Sequence, residues 1–358
     1  MDERIKKHAD IIVNHSTNIQ EGDMVVISAS PEATDLVQEI YSLIGEIGAV
    51  PHLKMRFPEA TSRYYESVTE DKIFESEHSK ALWEKTDVSI SIRGSSNTKS
   101  MSNVPSELQI ANSKLNNDTR EIRLDTRWLL TQYPTDSSAQ EADMSTREYA
   151  DFVYDAVIKD WDEQKEFQSQ MCDILNDGKK VRIVSGDKTD ITMRIDGMNA
   201  INDYGEHNMP AGEVFTAPVK ESVNGSVLFD MPLLTQGREL QDVYLEFEDG
   251  KVVDYSASKN EDVIESILNT DDGSRYLGEL GIGMNRGIDE FTYNMLFDEK
   301  MGDTIHLALG RAYKDNVGED REQNLSAVHL DMIVDMSENS YIEIDGEKVQ
   351  ENGNFIFE

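Results

Sequence analysis

Cysteine is nearly absent from this chain of 358 residues, and basic residues are scarce. The single Cys172 excludes an internal disulfide framework and any zinc cluster held by thiolates. Lysine and arginine number 34 against 70 aspartates and glutamates, a formal charge of −36. Such a surface lacks the cationic face that would release counterions from a phosphate backbone, and an anionic membrane would repel it, so neither nucleic acid nor membrane is an expected partner. Long apolar runs are missing too. No stretch approaches the ~18 uncharged residues of a membrane span, and the start, Met1 to His8, has no apolar core, so the expectation is a soluble, cytoplasmic protein. Nor is there a glycine-rich phosphate loop: Ser28-Ala29-Ser30-Pro31-Glu32 has neither the glycines nor the lysine.

What remains is a folded, strongly acidic protein. Hydrophobic residues make up 38 % of the chain, and the acids are dispersed among apolar positions that keep helix or strand period, unlike a disordered acidic tail. A dispersed excess of this kind suits a high-salt cytoplasm, where screening lengths fall to about 3 Å and self-repulsion is suppressed. The reading is therefore halophilic.

The first third alternates strand and helix. Met24–Ile27 reads as a strand after the turn Glu21-Gly22-Asp23. Leu36, Val37, Ile40, Leu43, Ile44 and Ile47 have helical spacing and stop at Gly48, where glycine adopts a left-handed cap easily. Strands follow at Val50–Leu53, at Val88, Ile90 and Ile92, and at Ile122–Leu124. Ser145 and Glu148 form a capping box before a helix with Tyr149, Phe152, Val153, Ala156 and Val157 on one face, read as a spacer between domains. After Gly178 the period changes to two. Turns at Gly186-Asp187 and Asp249-Gly250 each join alternating strands, and a helix interrupts near Asp262–Leu268. The expected fold is an α+β, α/β two-domain chain. An α/β amino-terminal domain spans 1–177 with the helical spacer at its end, and a β-rich domain spans 178–358.

Chemistry concentrates in the second domain. Of seven histidines, His8, His15, His52, His78 and His207 lie among polar or turn residues and read as structural or surface groups. His306 and His329 instead sit inside apolar runs. His329 and Asp331 are two apart in a strand pattern, so imidazole and carboxylate share a face, and burying both calls for a cation. Glu213 and Glu279 likewise open apolar stretches after turn residues, and Glu299 lies in Phe297-Asp298-Glu299-Lys300. Two histidines and three embedded carboxylates match a two-metal hydrolase better than a thiolate or mononuclear structural site. A two-metal phosphoesterase and a non-enzymatic acidic binding protein are the alternatives. Against the first stands the absence of an Arg or Lys cluster beside the motifs, although Arg286 and Arg311 are present.

Gly212-Glu213-Val214-Phe215-Thr216-Ala217-Pro218, Leu277-Gly278-Glu279-Leu280, Leu296-Phe297-Asp298-Glu299-Lys300, His306-Leu307-Ala308-Leu309-Gly310 with Tyr313, and Asn324 through Met332 occur in that order. Together they resemble the successive motifs of the thermophilic metallo-aminopeptidases of the aminopeptidase T and aminopeptidase S type. Weaker similarity reaches the front of the chain at Glu21-Gly22-Asp23, Gly48-Ala49 and Tyr133-Pro134-Thr135. The resemblance implies a barrel-like second domain holding two divalent ions, zinc or cobalt with manganese or magnesium as options, and a homodimer. It places Glu213, Glu279, His306, His329 and Asp331 on the metal positions, Glu299 on a further acidic position, and Tyr313 on the active-site tyrosine. The expected reaction is release of amino-terminal residues from peptides by a hydroxide shared between two ions. Tyr313 would donate to the oxyanion, and a glutamate, Glu213 or Glu279, would carry the proton.

Overall fold

The computed structural model describes residues 2–235, 237–318 and 321–358. The chain forms two compact units, Met1–Lys159 with Gly205–Pro210, and Asp160–Tyr204 with Ala211–Glu358.

The first unit is a layered α/β body. Strands β1 (Met24–Ala29), β2 (Val50–Met55), β3 (Val88–Arg93) and β4 (Arg127–Gln132) form a parallel sheet in the order β2-β1-β3-β4, and a short strand at Asn208–Met209 pairs in parallel with β4. Such a sheet needs both faces covered, and the sequence supplies continuous apolar strands: Val25, Val26, Ile27, Val88, Ile90 and Ile92 are all buried. Helix Thr34–Ile47 buries Leu36, Val37, Ile40 and Ile44 and ends on Gly48 at φ +86°, as its spacing implies.

Two expectations need correcting here. Ile122–Leu124 is not a strand but the end of helix Asn117–Leu124, because Arg120, Glu121 and Arg123 interrupt any alternating apolar face; the strand begins at Arg127. The capping box does form, with both Ser145–Glu148 hydrogen bonds present. Yet the helix it starts, Thr146–Val157, is no spacer: its apolar face is buried within the first unit.

Helix Trp161–Asp177, which the sequence reading attaches to the first domain, begins the second unit, where Met171 and Leu175 enter the core. That core lies between two antiparallel sheets, one of eight strands and one of five. The predicted hairpins are both present. At Asp249-Gly250 both residues take positive φ, +47° and +84°, joining Val243–Glu248 to Lys251–Ser256. The five-stranded sheet runs His329–Asp335, Thr304–Gly310, Leu277–Gly283, Glu213–Thr216, Ile201–Asp203. It carries every candidate ligand except Glu299.

Candidate metal centre

Strand register brings the candidates together. Gly281 lies opposite His306, Ala308 opposite Asp331, Gly310 opposite His329, and Gly283 opposite Glu213. A bulge between Leu277 and Glu279 redirects the Glu279 strand where its carboxylate enters the site. Gly281 is required by this arrangement: a Cβ there would sit 1.9 Å from His306 Cε1, so the imidazole lies across the glycine to reach its partners. Behind the Glu213 strand, Gln168 Nε2 donates to the carbonyls of Glu213 at 3.0 Å and Asp203 at 2.9 Å, fixing the backbone that presents Glu213.

Five side chains form two groups that share one member. Glu213, Glu279 and His306 offer ligand atoms within 4.8 Å of one another, and so do Glu279, His329 and Asp331. His306 Nε2 is 3.1 Å from Glu279 Oε1 and 3.3 Å from Glu213 Oε2. His329 Nε2 is 3.5 Å from Asp331 Oδ1 and 3.8 Å from Glu279 Oε2. Glu279 thus turns one oxygen toward each imidazole. It is the one residue common to both groups.

Hydrogen bonding sets the ring of His329. Its Nδ1 is 2.9 Å from the carbonyl of Arg311, which only accepts, so Nδ1 carries a proton and Nε2 is the nitrogen turned toward the carboxylates and free for a metal ion. Tyr313 reaches the same nitrogen with its hydroxyl at 3.4 Å, and its ring packs 4.9 Å from the imidazole.

The electrostatics call for cations. Burial pushes Glu213 and Glu279 up from the ordinary carboxylate range, while His329 and other positive groups hold Asp331 down against its own burial. Burial alone would lower both imidazoles. The hydrogen bond that His306 donates to Glu279 and the surrounding carboxylates outweigh it and push His306 up to about 10, and Asp331 with Glu279 pushes His329 up to about 9. Glu213 Oε2, Glu279 Oε2 and Asp331 Oδ1 are buried with no hydrogen-bond donor among the described residues. Divalent ions fit these donors, since they satisfy bare carboxylate oxygens and imidazole lone pairs at once.

A family model, the thermophilic metalloprotease (M29), matches residues 1–358. The chain belongs to that family. M29 membership brings divalent-metal use and peptide hydrolysis, and it sets aside the phosphoesterase and binding-protein alternatives. Among curated relatives, aminopeptidase 2 of Geobacillus stearothermophilus is 28 % identical over all of this chain and 98 % of its own length. Aminopeptidase T of Thermus aquaticus is 35 % identical over 39 % of this chain and 36 % of its own. The solved AmpT of Thermus thermophilus has the same fold, with a TM-score of 0.87 at 22 % identity over 99 % of both chains. A 2,5-dihydroxypyridine dioxygenase from Pseudomonas putida shares the fold more loosely, at a TM-score of 0.63 and 12 % identity over 99 % of this chain and 96 % of its own. The fold therefore does not carry the chemistry by itself.

The remaining sequence candidate, Glu299, lies outside both groups. Its Oε1 bonds Lys300 Nζ, and the same ammonium is 3.0 Å from Glu213 Oε1. Lys300 was not singled out from the sequence. It is fully buried, yet its setting in Asp298-Glu299-Lys300 is that of an ordinary solvated charge run. Asp298, also buried, accepts from Thr292 N at 2.9 Å and Oγ1 at 2.8 Å, which anchors the short helix Met295–Asp298 preceding the lysine.

Proposed function

We propose that this M29 protein is an aminopeptidase whose metal site comprises Glu213, Glu279, His306, His329 and Asp331, with one divalent ion in each group. The observation that carries the reading is Glu279, one oxygen toward His306 and the other toward His329. Zinc or cobalt suits the mixed imidazole and carboxylate set, and the ions would supply Lewis acidity and a water of lowered pKa. The side chains supply the rest. Lys300 occupies Glu213 Oε1 and leaves Oε2 facing the site, so this carboxylate keeps one oxygen for ligation or proton transfer. Tyr313, an exposed residue, extends its hydroxyl beside His329, a position from which it can donate to a substrate oxygen. Glu299, held by Lys300, acts on the charge of the site from behind Glu213.

Selection of the amino end would follow from the same centre. A free, neutral α-amine would be held at or beside one of the ions that these residues bind, which would fix the first peptide carbonyl near attack distance; an acetylated end offers no such anchor. In a mass-spectrometric time course with zinc or cobalt supplied in high salt, the free peptide should be shortened one residue at a time and its N-acetyl twin left intact. Internal cleavage of both at similar rates would refute the exopeptidase reading and leave the hydrolase standing. The family resemblance favours a homodimer, which sedimentation velocity reads directly, and the acidic surface favours a salt-rich cytoplasm as its home.

A further inference from the structure

In a chain with two acids for every base, a cluster of cations without acids is an anomaly. One occurs in the first unit, at the carboxyl ends of its parallel strands. Lys54 and Arg56 are two residues apart at the end of β2 and so share a face. The Arg56 backbone N–H continues the β1–β2 register by bonding the Ala29 carbonyl at 2.7 Å. Its guanidinium then crosses the end of β1, and Nη2 donates to the carbonyl of Ile92 on β3. Lys54 Nζ stands 5.5 Å from the centroid of the Trp83 ring, and Arg123 approaches from the last turn of helix Asn117–Leu124.

All three are half-buried, and among the described residues none forms an ion pair with a carboxylate. The charged groups acting on them are cations: Arg56 and Arg123 on Lys54, Arg93 on Arg56, Arg120 on Arg123. Burial and this mutual repulsion hold all three below their ordinary pKa. The place in the fold is equally specific. Strand order β2-β1-β3-β4 reverses direction at β1 and β3, and open parallel sheets take their ligands outside the carboxyl ends of the strands at such a reversal. Arg56 lies across that point. A glycine-rich loop is absent there, so recognition would fall to guanidinium forks and an ammonium, which match oxyanions in charge and geometry.

We propose that Lys54, Arg56 and Arg123 form an oxyanion site at the carboxyl edge of this sheet, taking a small dianion of the phosphate or dicarboxylate class. The three residues all belong to the first unit, and the standing of the site does not depend on the peptidase reading. The anion supplies the negative charge that the cluster lacks. The overall charge of −36 opposes its approach at low salt, and screening in high salt removes that opposition while the half-buried contacts are screened less.

The test is calorimetric titration of the metal-loaded protein at fixed, high KCl, with inorganic phosphate in one arm and succinate in the other. Saturable binding of about one ion per chain is expected in at least one arm, and the stronger arm identifies the class. Arg56→Gln and Lys54→Gln should each weaken it by at least about tenfold, the scale of one lost charge-assisted hydrogen bond. Arg56→Lys should weaken it less, and Asp331→Ala should leave it intact. Arg123→Gln, at a helix end, provides the decisive variant should Arg56→Gln fail to fold by circular dichroism. No saturable binding in either arm overturns the proposal, as does binding indifferent to all three cations. Binding abolished by Asp331→Ala but kept by Arg56→Gln also overturns it, because the anion would then sit on the metal centre.

Discussion

His329 and Asp331 are the residues on which the proposed second ion depends most, because Glu279 is shared and cannot serve two ions alone. Replacing either by alanine should lower metal content, read by elemental analysis, and hydrolysis together, with activity falling at least about a hundredfold. His78→Ala should change neither, since its residue is exposed and belongs to the first unit. His8 makes a separate point in the first unit. Thr131 Oγ1 donates its proton to the Met209 carbonyl at 2.7 Å, so it can only accept from His8 Nε2 at 2.9 Å. The imidazole is therefore neutral with Nδ1 bare, and burial pushes its pKa down to about 3. The unfolded chain, with His8 near its ordinary value of 6.5, takes up a proton that the folded chain refuses. This contribution to stability is complete above that value and is lost as pH falls from there toward about 3, at a cost of about 2 kcal/mol by pH ~5. Denaturant titrations at several pH values should show this slope, and His8→Gln should flatten it.

Among elements, the pairing of the Glu279 and His306 strands is the most demanding. Gly281→Ala places a methyl 1.9 Å from the imidazole, so the ring must move off Glu279. Overpacking of this kind costs about 1–3 kcal/mol, and we expect near-wild-type circular dichroism with reduced metal content and at least about tenfold lower activity. The glycine drew no notice in the sequence, where Leu-Gly-Ile-Gly reads as a plain buried strand. The five proposed ligands were legible because each is a polar residue inside an apolar run, a mismatch visible in one dimension. Lys300 was not, because its partner Glu213 lies far away in the chain while the residues just before it, Asp298 and Glu299, are charged. Local signals fared well: the Ser145–Glu148 box, the Gly48 cap and the Asp249-Gly250 turn are decided within a few residues. Ile122–Leu124 failed for the complementary reason, since three residues carry no period of their own and the surrounding charges extend a helix.

For the whole molecule, charge is the dominant variable. With −36 spread over the chain, dilute buffer leaves the repulsion unscreened, whereas molar KCl shortens its range to about 3 Å. The melting temperature should rise between low and molar KCl, and a flat or falling curve in scanning calorimetry would remove the halophilic reading without touching the metal site. The short strand Asn208–Met209 bears on the protein's life before it is ever folded. It gives β4 its outer neighbour, and the Leu130 amide finds the His207 carbonyl at 2.8 Å. A nascent chain that has emerged only as far as Lys159 holds β4 as a bare edge, open to pairing with another chain. The amino-terminal unit is thus not a module that can be finished early on the ribosome. Its completion waits for a segment made some fifty residues later, after the second unit has already begun.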